Sequence, residues 1–201
     1  MNHRKAINHL RRADPVMARV IATVGPCRFG PITDHSHFHH LARAIVYQQL
    51  SGKAAATIHG RFVALFPTNP PHPRDVAAAK DAPLRAAGLS RQKAAYIRDL
   101  ATKVHEGSLP LDRIASLPDD EVIAALTRVK GIGKWSAQMF LMFRLGRPDV
   151  LPDLDLGIQK AIKLAYGLRS MPKPKRVLKI GRSWSPYATV ASWYLWRSLD
   201  T

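Results

Sequence analysis

The chain has 201 residues, enough for one domain or two small ones, and its 46% share of hydrophobic residues is that of a folded globular protein. Lysines and arginines number 31 against 14 acidic residues, a formal net charge of +17, which favours a polyanionic partner and above all nucleic acid. The single cysteine, Cys27, excludes an internal disulfide, a cysteine-rich zinc site and a four-cysteine iron–sulfur cluster. Apolar runs fall short of the roughly 20 residues of a spanning helix, and the amino terminus lacks the apolar core of a signal peptide, so we expect a cytoplasmic protein with no membrane partner.

Apolar residues in the first half of the chain recur every three or four positions, a spacing that predicts an all-α fold. After a break at "TNPPHP" the chain reads as two further helices, the second opened by Ser90 as N-cap and closed by Gly107. The earlier helices are predicted from two stripes: Phe38, Leu41, Ala42, Ile45, Val46 and Gln49, and then Ala55, Ile58, Phe62 and Leu65.

The second half continues the helical pattern. A helix with Pro118 in its first turn runs into "VKGIGKWSAQMF", residues 129–140, and a following helix extends to about Leu145. Another helix is predicted from about Leu154 to Tyr166. The basic segment "RSMPKPKRVLKIGR" reads as a link, and the chain closes on the aromatic stretch "WSPYATVASWYLWRSL".

The two glycines of residues 129–140 indicate a tight turn between helices. Gly131 and Gly133 allow positive φ and leave no Cβ in the way, so the turn's N–H groups and the next helix start can hold a phosphate. Lys130 and Lys134 flank the turn as counter-charges. Glycines that serve only to turn the chain explain these residues equally well.

Two acidic residues stand at the start of the helix predicted from Leu154. We interpret Asp153 as a residue that caps this helix, because an aspartate beside the first turn commonly accepts backbone N–H bonds. Asp155 lies just inside the predicted helix, whose apolar side carries Ile158 and Ile162, so its carboxylate is a candidate to face a cleft.

The glycine hairpin, Trp135 and Asp155 together resemble the helix–hairpin–helix DNA glycosylase superfamily, and most closely its 3-methyladenine DNA glycosylase II branch. The resemblance runs from about Leu41 to Trp196. It rests on four segments in the same order: "IVYQQLSGKAAATI", "LRAAGLSRQKAAYIRDLA", "VKGIGKWSAQMF" and "WSPYATVASWYLW".

This resemblance implies the short form of the family, with two helical subdomains and an active-site cleft between them. Residues 1–40 plus 167–201 would form a terminal subdomain. Residues 41–166 would form a central one, with the helix–hairpin–helix motif at about 118–146 and the helix of Asp155.

The activity implied is that of a monofunctional DNA glycosylase of base excision repair. It would flip alkylated purines, of the 3-methyladenine and 7-methylguanine type, out of double-stranded DNA and leave an abasic site. Asp155 matches the catalytic carboxylate of the family. Leu50, with Gln49 and Ser51 beside it, matches the wedge that fills the gap, although Leu50 also fits an ordinary apolar helix end.

The base pocket implied by the resemblance contains Trp135, Trp196, Met139 and Leu156. Met139 and Leu156 stand where the longer bacterial enzyme has aromatic residues, so this pocket is less aromatic. Trp135 occupies the place where bifunctional members carry a nucleophilic lysine, and Lys134 beside it projects elsewhere on the helix.

No cofactor is required by this chemistry, although the family also suggests a structural Na⁺ or K⁺ at the hairpin. Its ligands would be the backbone carbonyls of Thr127, Val129 and Ile132. We further expect a monomer of bacterial origin. The lesion spectrum is not determined by these residues.

Other functions remain compatible with parts of the sequence. An inert helix–hairpin–helix protein explains the charge and the glycines but not Asp155 or the tryptophans, and an RNA-binding protein explains only the charge. A bifunctional glycosylase/lyase explains the acid but needs a lysine at Trp135. In "DHSHFHH", His35 and His39 have helical spacing, yet a solvated helix start or a phosphate-facing edge suits them better than a metal site. The segment "PKPKRVLK" fits a solvated loop or a phosphate contact.

Overall fold

The computed structural model describes residues 2–34 and 36–200, and within these ranges the secondary structure is helical with no β-strand. The predicted all-α class is confirmed. The chain divides into two compact units: a terminal unit, from the described parts of Met1–Ile32 and Leu141–Thr201, and a central unit, from the described part of Thr33–Phe140. Residues 141–166, which the resemblance places in the central subdomain, are grouped in the structure with the two ends of the chain.

The terminal unit contains five α-helices: α1 (His3–Ala13), α2 (Pro15–Val24), α10 (Leu156–Ala165), α11 (Pro174–Gly181) and α12 (Ala188–Arg197). Helix α12 contacts α1, α2 and α10 and so forms the centre of this unit. Its buried face brings Val190, Tyr194 and Leu195 into a core with Leu10 of α1 and Ile158 of α10. The aromatic carboxyl-terminal stretch is therefore largely core.

Asp14 joins the first two helices of the terminal unit to this core. Its carboxylate caps α2 by accepting the N–H groups of Val16 at 2.8 Å and Met17 at 3.2 Å. The other oxygen accepts the Trp184 indole N–H at 2.9 Å and the Tyr166 hydroxyl. Burial, followed by the hydrogen bond to Asp14, raises the pKa of Tyr166, which therefore remains a donor.

The central unit is built around α7 (Arg91–His105), which contacts α3 (His37–Tyr47), α5 (Pro73–Ala77) and α6 (Asp81–Ala86). Ser90 caps α7 as predicted, with its hydroxyl oxygen accepting the Lys93 N–H at 3.1 Å. Helix α4 (Gly52–Val63) packs on α3, and α8 (Asp119–Thr127) packs on α9 (Lys134–Met139). A π-helical turn, Phe140–Arg144, follows α9.

The predicted apolar stripes agree with the observed burial in most positions. Five of the six residues predicted for α3 are buried, whereas Gln49 lies beyond the end of that helix. In α4, Ala55 and Phe62 are buried, but Leu65 follows the helix and is exposed. The prediction of a link at "PKPKRVLKIGR" was wrong, because residues 174–181 form α11, which buries Val177 against the terminal unit.

We expect Asp14→Ala to lower the free energy of unfolding by about 2–4 kcal/mol, since buried donors that lose a partner cost about 1–3 kcal/mol each. The change leaves Tyr166, Trp184 and the first turn of α2 without their common acceptor. Urea unfolding followed by tryptophan fluorescence measures the difference.

Asp200→Ala is the matched control in the same unit. Asp200 forms an ion pair with Arg197 in which both side chains are more than half exposed, and such pairs contribute at most about 1 kcal/mol. Equal midpoints for the two variants would contradict the structural role given to Asp14.

Candidate active site

Asp155 caps the amino terminus of α10. Its Oδ1 accepts the backbone N–H of Ile158 at 2.8 Å and the indole N–H of Trp196 at 2.9 Å. These two donors hold a half-buried carboxylate in one orientation at a helix amino terminus, where the macrodipole favours negative charge. A fixed carboxylate of this kind can stabilise positive charge that develops next to it.

Small and flat residues surround this carboxylate. A Cβ at Gly157 would come within 3.0 Å of Asp155 Oδ1 and 3.1 Å of the Trp196 ring, so glycine there allows the two side chains to meet. Phe143 stacks on Trp196, with 5.8 Å between the ring centroids and an interplanar angle of 27°. Trp196 therefore positions Asp155. The sequence does not reveal this contact or the role of Gly157 in allowing it.

Two expectations about this helix need correction. The helix begins at Leu156, so Asp155 and not Asp153 is the cap, and Asp155 precedes the helix instead of lying inside it. Asp153 is buried, 4% exposed, and its carbonyl accepts Gln159 Nε2 at 3.0 Å. Leu156, predicted for the base pocket, is 72% exposed in its unit.

The hairpin between α8 and α9 contains the two predicted glycines, but only one needs to be glycine for conformational reasons. Gly131 has φ +82°, a left-handed conformation that other residues rarely adopt. Gly133 has φ −96° and is the N-cap of α9, with no protein atom near the position of a Cβ. Gly131 thus uses the positive φ that glycine allows, whereas Gly133 contributes only the open space left by its missing Cβ.

Three side chains from other helices hold this hairpin. The Tyr96 ring packs directly on Gly131, where an added Cβ would lie 2.0 Å from the ring. Gln48 Nε2 donates to the Gly131 carbonyl at 2.9 Å, and the Lys130 N–H donates to Asp99 Oδ2 at 2.9 Å. Burial alone would raise the pKa of Asp99, but hydrogen bonds from Lys103 and the Lys130 amide outweigh it and lower that pKa.

The backbone of the hairpin surrounds a shallow depression of about 470 Å³, lined by residues 127–133. It contains the three predicted cation ligands, Thr127, Val129 and Ile132. The Val129 carbonyl accepts one hydrogen bond, from the Ile132 N–H at 3.1 Å, and the side chains of Val129 and Ile132 are buried. Val129 and Ile132 therefore expose backbone atoms at this surface. A site that binds a monovalent cation through carbonyl oxygens requires this.

A larger cavity of about 690 Å³ lies in the central unit between α3, the start of α7 and α9. Trp135 and Met139 both line it, and Trp135 is 43% exposed. The four residues predicted for the base pocket thus fall into two sets: Trp135 and Met139 at this cavity, and Trp196 and Leu156 beside Asp155 in the terminal unit.

The predicted wedge residues lie in the turn between α3 and α4. Gln49 has φ +57°, Leu50 is 39% exposed, and the Ser51 hydroxyl caps α4 by accepting the Ala54 N–H at 3.4 Å. Leu50 thus lies beyond the end of α3, partly exposed and next to a left-handed residue.

At least one histidine at the start of α3 is not solvated, contrary to the prediction of a solvated helix start. His39 is buried and its ring meets that of His59 edge to face, with centroids 4.9 Å apart. His35 lies outside the described residues. Within the described parts of the chain, no group of three or more His, Cys, Asp or Glu side chains has a metal-binding arrangement, and no helix has the length and hydropathy needed to cross a membrane.

Comparison with known proteins gives consistent similarities. Residues 42–186 match the model of the HhH-GPD superfamily of base excision DNA repair proteins. The chain is 33% identical to DNA-3-methyladenine glycosylase 1 of Schizosaccharomyces pombe over 96% of this chain and 86% of that protein. It spans 61% of the length of a Bacillus subtilis relative to which it is 34% identical.

Two solved structures are similar along nearly the whole chain. The 3-methyladenine DNA glycosylase of Schizosaccharomyces pombe in complex with abasic DNA has a TM-score of 0.83 at 32% identity, covering 98% of this chain and 97% of that one. A DNA-3-methyladenine glycosidase from Bacillus halodurans has a TM-score of 0.87 at 37% identity, covering 98% and 89%.

The two hairpin glycines should respond differently to an added methyl group. Gly131→Ala forces a left-handed alanine and displaces Tyr96, so we expect it to destabilise the protein by at least about 1–2 kcal/mol, whereas Gly133→Ala should be close to neutral. Thermal unfolding of both variants measures this difference. Equal melting temperatures would contradict the assignment of the turn's strain to Gly131 alone.

Proposed function

Because the chain belongs to the HhH-GPD superfamily of base excision DNA repair proteins, we propose that it is a DNA glycosylase that hydrolyses the N-glycosidic bond of alkylated purines in double-stranded DNA. The observation that carries this proposal is the orientation of Asp155 by Ile158 and Trp196. The similar proteins are named as 3-methyladenine DNA glycosylases, which supports the same substrate class.

The chemistry follows from the charge that bond cleavage creates. As the base leaves, the sugar approaches an oxocarbenium ion, and a fixed carboxylate such as Asp155 stabilises that positive charge or orients the attacking water. A purine alkylated at N3 or N7 is already cationic and leaves readily. The reaction therefore needs no strong general acid and no cofactor.

Selection of a cationic base calls for an electron-rich ring face. Trp135, partly exposed at the cavity of the central unit, offers one, and cation–π attraction contributes about 1–2 kcal/mol when the groups are desolvated. Met139 in the same cavity adds a polarizable apolar surface.

The position of Trp135 also decides the type of reaction. It replaces the lysine that bifunctional relatives use as a nucleophile, and Lys134 is the neighbouring residue on α9. A tryptophan cannot form an imine with the sugar, so the product is an abasic site in an unbroken strand.

The hairpin supplies the grip on DNA. Lys130 and Lys134 are exposed, Gly133 leaves open space at the start of α9, and a helix start favours a phosphate. The carbonyls of Thr127, Val129 and Ile132 would hold a Na⁺ or K⁺ whose charge adds to this site. These contacts are independent of base sequence.

Leu50 is the wedge in this proposal. Extrusion of the target nucleotide costs a few kcal/mol, roughly, and an apolar side chain that fills the vacated space offsets part of that cost. The exposure of Leu50 at the tip of its turn supports this role. We expect the protein to act as a cytoplasmic, bacterial monomer.

Asp155→Asn tests the function directly. The amide keeps an oxygen that accepts from Ile158 and Trp196, so the cap survives and only the charge is lost. We expect single-turnover release of free base from methylated duplex to fall about 100-fold or more, with DNA binding largely intact. The wild type should leave strands that break only after alkali, and borohydride should trap no protein–DNA adduct.

Asp153→Asn is the control for the choice of acid, and its thermal unfolding must be measured because Asp153 is buried. Loss of base release in a folded Asp153→Asn protein together with normal release by Asp155→Asn would refute the assignment. A trapped adduct that disappears in Lys134→Ala would refute the monofunctional reaction.

Trp135→Ala should lower the excision of cationic alkylpurines by about tenfold more than that of neutral lesions, since the lost interaction is a ring face against a positive charge. Trp135→Phe should restore part of the difference. Met139→Ala is the matched control, because it opens the same cavity without removing a ring and should affect both lesion classes alike. Equal losses in Trp135→Ala would mean that Trp135 only shapes the cavity.

A further inference from the structure

The turn that carries Leu50 contains an unfavourable backbone conformation. Gln49, with φ +57°, is the one non-glycine residue with positive φ among the described residues. A left-handed conformation costs a residue with a Cβ about 1–2 kcal/mol, and such a conformation persists when its surroundings determine it. Hydrogen bonds made by Lys93 and Gln48 provide these surroundings.

Lys93 supplies the first constraint. Its Nζ donates to the carbonyls of Val46 at 2.8 Å and Gln48 at 2.6 Å, two groups at the carboxyl end of α3. Lys93 belongs to the first turn of α7, where a positive charge opposes the dipole of its own helix. Burial also lowers the pKa of Lys93. The burial and the unfavourable dipole at this position indicate that the ammonium group of Lys93 stabilises the end of α3 instead of its own helix.

Gln48 supplies the second constraint. While its carbonyl is held by Lys93, its side chain donates to the Gly131 carbonyl at 2.9 Å. The turn of Leu50 is thus attached to the hairpin, which is 83 residues away in sequence. One residue connects the segment proposed to enter the duplex with the segment proposed to hold its phosphate.

We propose that Lys93 and Gln48 are positioning residues that hold Leu50 at a fixed place relative to the hairpin, so that the grip on phosphate and the insertion of the wedge occur together. This inference rests on the proposed function. Both residues also line the cavity of Trp135 and Met139, but their hydrogen bonds go to backbone groups of the turn and the hairpin. Their loss should therefore impair extrusion of the nucleotide and not the bond cleavage that follows it.

The test compares two substrates with Lys93→Met, which keeps the length of the side chain and removes its donors. In a fully paired duplex, we expect single-turnover base release to slow about tenfold. In a duplex with an abasic site opposite the lesion, where there is no pairing to break, the rate should stay near that of the wild type. Gln48→Leu should shift the ratio of the two rates in the same direction.

Arg91→Met is the matched control, since it removes an equal charge from the first turn of α7 and Arg91 has no part in the contacts of this turn. It should leave the ratio of the two rates unchanged. Equal slowing of both substrates by Lys93→Met, or slowing of neither, would overturn the positioning role. If Lys93→Met does not fold, the ratio for Gln48→Leu decides alone.

A second readout separates this inference from the proposed function. 2-Aminopurine next to the lesion in the same strand brightens when the neighbouring base is extruded, whether or not the bond is cleaved. We expect the fluorescence of 2-aminopurine to rise when wild-type protein or Asp155→Asn is added to saturation. The rise with Lys93→Met should be at least threefold smaller. A full rise with Lys93→Met refutes the positioning role, whereas a wild type that gives the rise without releasing base refutes only the proposed reaction.

Discussion

The left-handed turn at Gly131 is the constraint on which the arrangement of the central unit depends. With no Cβ, Gly131 lets the Tyr96 ring lie against the backbone, and its carbonyl receives Gln48. Asp99, on the same helix as Tyr96, holds the preceding N–H of Lys130. A backbone turn is thereby attached to α7 and to the end of α3, and the contact with the Tyr96 ring is one that only a glycine permits.

The regular parts of this fold could be predicted from the sequence because burial follows helical period. The stripe that begins at Phe38 gives α3 almost residue for residue, and Ser90 marks the start of α7. Helix α11 was missed since it buries little beyond Val177 and Gly181, so its basic exposed face resembles a linker. Its proline in the first turn was the signal available.

Candidate site residues could be chosen from the sequence, but their contacts could not. Asp155 and Trp135 could be chosen from the sequence, whereas the indole N–H of Trp196 reaches Asp155 across 41 residues. The predicted start of α10 was wrong by two residues, and this error changed which aspartate was taken as its cap. A start at Leu154 makes Asp153 the cap, and the observed start at Leu156 transfers that role to Asp155. Pattern places helix ends only to within a residue or two, and here two residues change which acid is held.

Charge is distributed unevenly between the two units, and this distribution indicates which unit attracts a polyanion through its net charge. The terminal unit carries 17 lysines and arginines against five acidic residues, and from Leu156 to Leu199 it has no acidic residue at all. The central unit, with the hairpin and the proposed wedge Leu50, has 14 against nine. Attraction to phosphate that depends on net charge is long-ranged and weakens with salt, whereas contacts through backbone groups and an apolar wedge do not need excess charge. Non-specific attraction to a polyanion is therefore expected to be stronger at the surface of the terminal unit than at that of the central unit. In the proposed function, the central unit instead contributes a constrained turn and a cavity lined by one lysine and no acidic residue, and these contacts distinguish one nucleotide from its neighbours.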